Sequence, residues 1–172
     1  MRQQRYRLDQ KKLKRVKLLA LDVDGVLTDG RITYTSNGEG LRTFSFLDIM
    51  GLSLARKKGL RIAFLSGEQG AAIQRLAMDL GIEDVHLNCK DKLAAFQGLC
   101  EKYRFSSEEA CFIGDDVNDL PVLRKVGVPV TIPNASSQVL SEIPYVTRRS
   151  GGYGAVREVV DQILEAHEIR VR

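Results

Sequence analysis

The stretch KLLALDVDGVLTD, residues 17–29, contains the pattern on which the rest of the chain depends. Four apolar residues at positions 18–21 lead directly to Asp22, Asp24 and Gly25. A short apolar run that ends at a glycine turn is typical of a strand buried in a parallel sheet. An acidic turn after a strand is common, but burying an unpaired carboxylate is costly, so these two need a metal ion, a cation or hydrogen bonds. The stretch therefore predicts one edge of a functional site.

Three further polar motifs follow, each after or near an apolar run. They are Ser66-Gly67, Lys92 within a Lys-Asp-Lys triplet, and Gly114-Asp115-Asp116 followed by Asp119. Taken singly, Ser66 would be an ordinary turn serine and Lys92 an exposed helix lysine. In this order and spacing, however, the four motifs resemble those of the haloacid dehalogenase-like phosphohydrolases. The resemblance runs from about residue 17 to the last predicted helix.

Predicted strands and helices alternate along the chain. Strands are expected at 61–65, 84–87, 110–113, 128–132 and 145–147, and helices at 48–58, 70–80, 91–103, 116–125, 134–142 and 154–168. This alternation predicts an α/β, three-layer sandwich with a mainly parallel, Rossmann-like sheet. Ligands bind at the carboxyl ends of the strands in such sheets, which is where Asp22, Ser66 and Asp115 fall. Residues 17–172 are expected to form one domain of ordinary size.

Residues 31–46 interrupt the alternation with a hairpin signal. Two alternating segments flank Asn37-Gly38-Glu39-Gly40, a turn typical of a protruding β-hairpin. Its apolar residues are expected to share one face: Ile32, Tyr34, Phe44 and Phe46. Because an isolated hairpin is marginally stable in water, this face is expected to be covered by another surface.

The net charge of +4 comes from the N-terminus. Residues 1–17 hold eight of the 26 lysines and arginines but one acid, so the remainder has a net charge of −3. We predict a solvated, partly helical basic arm over residues 1–16. A nucleic-acid-binding domain would carry basic residues on its folded body, so no nucleic-acid partner is expected.

The compartment is predicted from cysteines and hydropathy. Cys89, Cys100 and Cys111 lie eleven residues apart without a CxxC pair. This spacing argues against a disulfide framework or a zinc site and favours the reduced thiols of the cytoplasm. No run of eighteen apolar residues occurs, so no membrane association is expected.

The acidic residues predict the cofactor. If Asp22, Asp24, Asp115 and Asp116 share one crevice, two carboxylates about 4 Å apart repel by about 4 kcal/mol at an effective dielectric constant near 20. A divalent cation would relieve this repulsion, and ligands that are all oxygen favour Mg²⁺. Since Mg²⁺ also bridges carboxylates and phosphates, the cluster indicates a phosphate enzyme rather than a zinc hydrolase.

The family resemblance implies catalytic roles for four residues. Asp22 would be the nucleophile that forms a phosphoaspartyl intermediate. Asp24 would protonate the leaving alkoxide and then deprotonate the attacking water. Ser66 would bond a phosphoryl oxygen, and Lys92 would neutralise charge on the phosphoryl group and on Asp22.

The resemblance also implies how the metal ion is held. Its ligands would be Asp22, the carbonyl group of Asp24, and Asp115. Asp116 and Asp119 would orient Lys92 and metal-bound water.

No cap domain separates the first two motifs, and this narrows the resemblance to one capless subfamily. The segments that carry the likeness are the hairpin, Phe46-x-Asp48, the motif at 114–119, and the tail at 151–158. The subfamily contains 3-deoxy-D-manno-octulosonate 8-phosphate phosphatases of lipopolysaccharide synthesis and related nonulosonate 9-phosphate phosphatases. It implies a homotetramer held by the hairpins, in which residues 151–157 close over a neighbouring site. Substrate contacts are expected from Asp48, Gly67 and Arg157.

Two positions depart from the octulosonate pattern. Leu47 and Glu68 stand where many octulosonate phosphatases carry arginine. A glutamate at the second position resembles the nonulosonate enzymes, but Asp79 occupies the place of their accompanying lysine. We expect the octulosonate phosphate as substrate, with a nonulosonate 9-phosphate as the alternative. A non-catalytic sugar-phosphate-binding module is a third reading, which the four intact motifs disfavour.

Overall fold

A five-stranded parallel sheet is the middle layer of the computed structural model, which describes residues 7–168. Its strands are β1 (Leu18–Leu21), β4 (Arg61–Leu65), β5 (Asp84–His86), β6 (Ala110–Ile113) and β7 (Val128–Val130). They lie in the order β5-β4-β1-β6-β7. A separate antiparallel pair consists of β2 (Thr33–Tyr34) and β3 (Gly40–Leu41). The predicted strand at 145–147 is reduced to a single parallel bridge between Thr131 and Val146.

Helices cover both faces of the sheet. They are α1 (Gln10–Leu13), α2 (Phe46–Lys57), α3 (Ala71–Leu80), α4 (Lys92–Tyr103), α5 (Leu120–Leu123), α6 (Ser137–Glu142) and α7 (Ala155–Ala166). One apolar core joins α1, α2, α3 and α7 to the sheet, and a second joins α4, α5 and α6 to its other face. The predicted three-layer α/β sandwich is therefore confirmed.

Strand register explains why the polar motifs meet. β1 is central: Leu21 pairs with Phe64 of β4 on one side and with Ile113 of β6 on the other. Its four residues are fully buried because both faces of the sheet are covered. The residues that follow β1, β4 and β6 therefore emerge side by side at one edge of the sheet.

The hairpin is shorter than predicted. Its strands comprise two residues each, and Phe46 is the first residue of α2 rather than part of the second strand. Ser45 is the N-cap of α2, and its hydroxyl accepts a hydrogen bond from the Leu47 amide. The helix was predicted to start at Asp48, but serine caps a helix as well as aspartate does. Phe44 packs against the core, so part of the predicted apolar face is covered within the same chain.

The described part of the basic N-terminal segment packs on the domain. Leu8, Leu13 and Val16 are buried in the same core as α7. The backbone amide of Leu8 also donates to the side chain of Gln162 in that helix. The lysines of α1 face solvent, so the segment is amphipathic and its apolar side extends the core ahead of residue 17.

Among residues 7–168, no helix combines the length and the apolar character needed to cross a membrane.

Candidate active site

Three loops at the carboxyl edge of the sheet bring the predicted site residues together. Asp22 follows β1, Ser66 follows β4, and Asp115 lies two residues beyond β6. The backbone hydrogen bonds of the sheet continue into these loops. The amide of Asp22 donates to the carbonyl of Ile113, and the amide of Ser66 donates to the carbonyl of His86. The backbone at the start of each loop is thereby fixed.

A cluster of three carboxylates lies at the centre of this edge. Asp22, Asp115 and Asp119 each place one oxygen within 4.8 Å of the others. Burial raises the pKa of Asp22 to about 6; the charge of Asp119 adds to the rise and Lys92 opposes it. Burial, followed by the charges of Asp22 and Asp119, raises the pKa of Asp115 to about 8. The cluster is therefore short of positive charge.

Lys92 supplies part of that charge. Its side chain is buried, and its Nζ atom lies 2.9 Å from Asp22 Oδ1 and 2.7 Å from Asp119 Oδ1. Burial by itself would lower the pKa of Lys92, but the charges of these two carboxylates outweigh it and raise the pKa. Lys92 is the first residue of α4, after the N-cap Asp91, so the start of a helix aims the ammonium group at the cluster.

Asp119 is fully buried, and both of its carboxylate oxygens accept hydrogen bonds. Its Oδ1 accepts from Lys92, and its Oδ2 accepts from the backbone amides of Asp115 and Asp116. A Cβ atom on Gly114 would lie 2.6 Å from that of Asp119, so glycine permits this approach. Asp119 therefore ties Lys92 to the loop after β6.

Asp116 bonds the turn after β6, whereas Asp119 binds Lys92, and the role of Asp116 toward metal-bound water stays a prediction. The residue is exposed, and its carboxylate accepts from the amide of Val117 at the start of a short 3₁₀ helix. Its observed bond caps this turn, whereas Asp119 makes the contact with Lys92.

Asp115 offers an open ligand atom. Its Oδ1 is buried, and no hydrogen-bond partner is present within the described residues. Its Oδ2 lies so near Gly25 that a Cβ there would overlap it, and Gly25 has a φ of +100°, which favours glycine. An unpartnered buried oxygen beside two further carboxylates fits a hard divalent cation with oxygen ligands. The residues present therefore fit Mg²⁺.

Asp24 is paired with an arginine that the sequence did not single out. Arg42 donates from Nε to Asp24 Oδ1 at 2.7 Å and from Nη2 to Asp24 Oδ2 at 3.1 Å. The Arg42 side chain is 4% exposed and that of Asp24 is 30% exposed. Eighteen residues separate the two, so no periodic pattern could have revealed the pair.

The second motif forms a tight loop after β4. Ser66 is buried, and its hydroxyl accepts from the amide of Glu68 at 3.2 Å. Gly67 faces the third loop: a Cβ atom there would contact the side-chain amide of Asn118 at 3.7 Å. Asn118 lies inside the motif at 114–119, so the loops after β4 and β6 come close together here.

Asp48 is buried, although it was predicted to contact the substrate. Its carboxylate accepts from the backbone amides of Gly154 at 3.0 Å and Arg157 at 2.9 Å. Burial raises the pKa of Asp48, and these two bonds partly offset the rise. In the structure, Asp48 therefore stabilises the start of α7 and does not line the surface of the active site.

Arg157 lines a cavity of about 750 Å³ together with Leu47, Arg148 and Arg149. Its Nε donates to Asp161 at 2.8 Å, one turn along α7. The Arg157 side chain therefore lies at a basic recess beside the start of α2 and α7.

The tail glycines are packed within the same subunit. A Cβ atom on Gly151 would overlap the carbonyl oxygen of Gly25, and one on Gly152 would lie 2.7 Å from the amide nitrogen of Asp29. The amide of Gly152 also donates to the carbonyl of Val26. The segment thus supports the loop after β1, and the exposed Tyr153 is the part that projects from it.

Comparisons with known proteins identify the family to which this chain is similar. A family model described as haloacid dehalogenase-like hydrolase matches residues 79–159. The 3-deoxy-D-manno-octulosonate 8-phosphate phosphatase KdsC of Escherichia coli K12 is 39% identical over 155 residues, which cover 90% of this chain and 82% of that protein.

Solved structures give the same result. The crystal structure of a phosphatase of the same name from Moraxella catarrhalis, in complex with magnesium ion, phosphate ion and a KDO molecule, is 38% identical with a TM-score of 0.89. It covers 92% of this chain, and 91% of that chain is matched. The enzyme of that name from Yersinia pestis is 35% identical with a TM-score of 0.91, over 93% of this chain and 86% of its own.

Proposed function

This chain belongs to the haloacid dehalogenase-like hydrolases, in the family of the 3-deoxy-D-manno-octulosonate 8-phosphate phosphatases, and from that premise we propose that it hydrolyses this sugar-acid phosphate. The products are the free sugar acid and inorganic phosphate, and the reaction belongs to lipopolysaccharide synthesis. The observation that carries the proposal is the cluster of Asp22, Lys92, Asp115 and Asp119 at the carboxyl edge of the sheet. We place the reaction in the cytoplasm, where Cys89, Cys100 and Cys111 would stay reduced.

The first half of the reaction transfers the phosphoryl group to the enzyme. A carboxylate oxygen of Asp22 attacks phosphorus, and the bond between phosphorus and the sugar oxygen breaks. Asp24 gives its proton to that oxygen, so the sugar leaves as an alcohol. Lys92 holds Asp22 in place at 2.9 Å and offsets the charge that collects on the phosphoryl group. Ser66 and the backbone at Gly67 bind phosphoryl oxygens.

The second half releases phosphate. Asp24, now a carboxylate, takes a proton from a water molecule as that water attacks phosphorus. The bond between phosphorus and Asp22 breaks, which regenerates the Asp22 carboxylate and frees phosphate. Asp119 keeps Lys92 directed at this position throughout, since it binds both Nζ and the loop after β6.

Mg²⁺ would be held by Asp22, Asp115 and the carbonyl group of Asp24. When bound, it supplies positive charge that brings the dianionic substrate to an anionic nucleophile and stabilises the transferring group. The unpartnered Oδ1 of Asp115 is the chain's own support for this ligand set.

Recognition of the sugar acid would come from the segment after the tail glycines. We propose that Arg157 binds the substrate's carboxylate. Asp48 accepts a hydrogen bond from the backbone amide of Arg157 and thereby fixes its position. Leu47 and Arg149 line the same recess, so an apolar wall and a second cation lie beside it.

Metal dependence and substrate are tested together. We expect hydrolysis of 3-deoxy-D-manno-octulosonate 8-phosphate to disappear after chelation and to return with Mg²⁺, because Lys92 alone cannot balance three clustered carboxylates. Phosphate release should be measured across a panel that includes a nonulosonate 9-phosphate, and values of kcat/KM compared. A higher kcat/KM for the nonulosonate ester would reverse the substrate assignment, and full activity in chelator would refute the metal requirement.

We further propose that the enzyme is a homotetramer assembled through the hairpins. Ile32 and Tyr34, on one face of the hairpin, are 44% and 66% exposed, and Leu41, on the opposite face, is 53% exposed. Phe46, at the start of α2, is 86% exposed. Large apolar residues exposed on both faces of so short a hairpin mark an interaction surface. A second copy of the chain is the natural partner, since a site without a cap needs a neighbour to cover it.

Light scattering tests this assembly. Wild-type protein should have the mass of a tetramer, and Tyr34→Lys or Leu41→Lys should shift it to smaller species by placing charges in the interface. Met78→Lys is the matched control, because Met78 is another exposed apolar residue but lies on α3. A wild-type monomer, or a hairpin variant that remains tetrameric, would contradict the proposal.

A further inference from the structure

Arg42, which pairs with Asp24 near the active site, has no role in the reaction described above. Arg42 directly follows β3, so it belongs to the hairpin, yet its guanidinium group is almost entirely enclosed. It holds both oxygens of Asp24, at 2.7 and 3.1 Å. A forked arginine–carboxylate pair restricts a side chain more than a single bond does.

The surroundings of Arg42 leave it little freedom. Its Nη1 atom lies against the backbone of Gly70, where a Cβ would be only 2.7 Å away. The pKa of Arg42 is raised, chiefly by the hydrogen bond to Asp24, and the charges of Asp24 and Glu68 contribute. Arg42 therefore joins the turn after β1, the loop after β4 and the hairpin.

We propose that Arg42 is the positioning residue of the general acid and base, and that it links the hairpin to the orientation of Asp24. The inference rests on the proposed phosphatase function, because it concerns the residue that exchanges protons in that reaction. In this role Arg42 acts through Asp24 and contacts neither the substrate nor the phosphoryl group.

The geometry suits this task. Asp24 is 30% exposed, and a general acid must be held within hydrogen-bond reach of the oxygen that it protonates. The two bonds are unequal: Nε approaches Oδ1 more closely than Nη2 approaches Oδ2. We therefore assign the transferable proton to Oδ2, whose bond to Arg42 is the longer one, while Oδ1 keeps its bond to Nε.

A comparison of leaving groups isolates this role. In a double-displacement enzyme, kcat/KM reports the steps up to departure of the leaving group. A sugar alkoxide needs a proton to depart, whereas p-nitrophenolate is stable as an anion and does not. Misplacing the acid should therefore lower kcat/KM for an alkyl ester and spare it for p-nitrophenyl phosphate. Because water attack still needs the base, kcat should fall for both esters wherever that attack limits turnover.

The experiment measures both esters with wild-type enzyme, Arg42→Gln and Arg42→Lys. For Arg42→Gln we expect kcat/KM to fall about 100-fold for 3-deoxy-D-manno-octulosonate 8-phosphate, the scale on which misplacing a group by about 1 Å acts. For p-nitrophenyl phosphate, kcat/KM should change little. Arg42→Lys keeps the charge but loses the fork, so its loss should be intermediate.

Arg124→Gln is the matched control. Arg124 makes a fork with Glu142 at 2.8 Å for both bonds, but this pair lies on the surface between the ends of α5 and α6. Its removal should leave the ratio of the two kcat/KM values unchanged.

The outcomes separate the inference from the function on which it rests. If wild-type enzyme hydrolyses p-nitrophenyl phosphate but not the octulosonate ester, the proposed substrate is wrong. The ratio of the two kcat/KM values is then measured with a sugar phosphate that the enzyme does hydrolyse. If it hydrolyses no phosphate ester, function and inference fail together. Equal losses of kcat/KM for both esters in folded Arg42→Gln would show a structural role, and no loss of kcat/KM for either ester would show that Arg42 plays no part; either result overturns the inference.

Discussion

Asp22→Asn is expected to abolish turnover while the protein stays folded. The substitution keeps the shape of the side chain but replaces the anionic carboxylate that attacks phosphorus with a neutral, weakly nucleophilic amide. We expect kcat to fall by about 10⁴-fold or more, the scale on which losing a covalent nucleophile acts. Acid quenching during turnover should trap an acyl phosphate on the wild-type chain and none on the variant.

The same substitution should not destabilise the protein. Two charges no more than 4.8 Å apart repel by about 3 kcal/mol or more at an effective dielectric constant near 20, so a neutral amide relieves repulsion within the carboxylate cluster. The lost bond to Lys92 opposes this gain, because that bond is only 2.9 Å long. We expect a Tm in metal-free buffer close to or above that of the wild type.

Asp79→Asn provides the control for Asp22→Asn, because Asp79 is an exposed carboxylate on α3. It should keep full activity. Turnover by a folded Asp22→Asn enzyme at more than a trace of the wild-type rate would rule out the phosphoaspartyl route.

Lys92→Met is expected to damage both activity and stability. Methionine matches the length of lysine, but it leaves Asp119 buried with one oxygen unpaired and Asp22 without its cation. Removing one partner of a buried ion pair costs about 3–5 kcal/mol. For a chain of this size each kcal/mol lowers Tm by about 2–4 °C, so a drop of about 10 °C is expected. We expect kcat to fall by about 10²- to 10³-fold.

Lys102→Met is the matched control within α4. Lys102 also binds an aspartate, with Nζ 2.6 Å from Asp84, but its side chain is 54% exposed. Asp84 is buried, but water reaches the lysine end of this pair and the hydroxyl of Tyr103 still donates to Asp84, so Tm should fall far less than in Lys92→Met. A folded Lys92→Met enzyme with the wild-type Tm and rate would show that the buried pair serves neither purpose.

The fold and the centre of the site could be predicted because their signals are local. Asp22 and Asp115 each follow a short apolar run, and such runs place their ends at one edge of a parallel sheet. Lys92 could be placed because it begins a helix after Asp91, a good N-cap residue.

What could not be predicted depends on distant contacts. Asp48 accepts a bond from Gly154, 106 residues away, and in sequence it looks like an ordinary residue at a helix start. Arg42 lies in a segment that alternates like a strand, and alternation cannot show that its side chain binds Asp24, eighteen residues earlier. The hairpin strands were too long in the prediction because alternation does not reveal where Ser45 begins a helix.

Gly151 has a consequence for how this enzyme tolerates random substitution. Its missing side chain leaves the space that the carbonyl of Gly25 occupies, directly beside the nucleophile's turn. In a library of all single variants selected for phosphatase activity, Gly151 would therefore be depleted almost as strongly as Asp22. A conservation profile would rank Gly151 with the catalytic residues, although it has no side chain that could take part in the reaction.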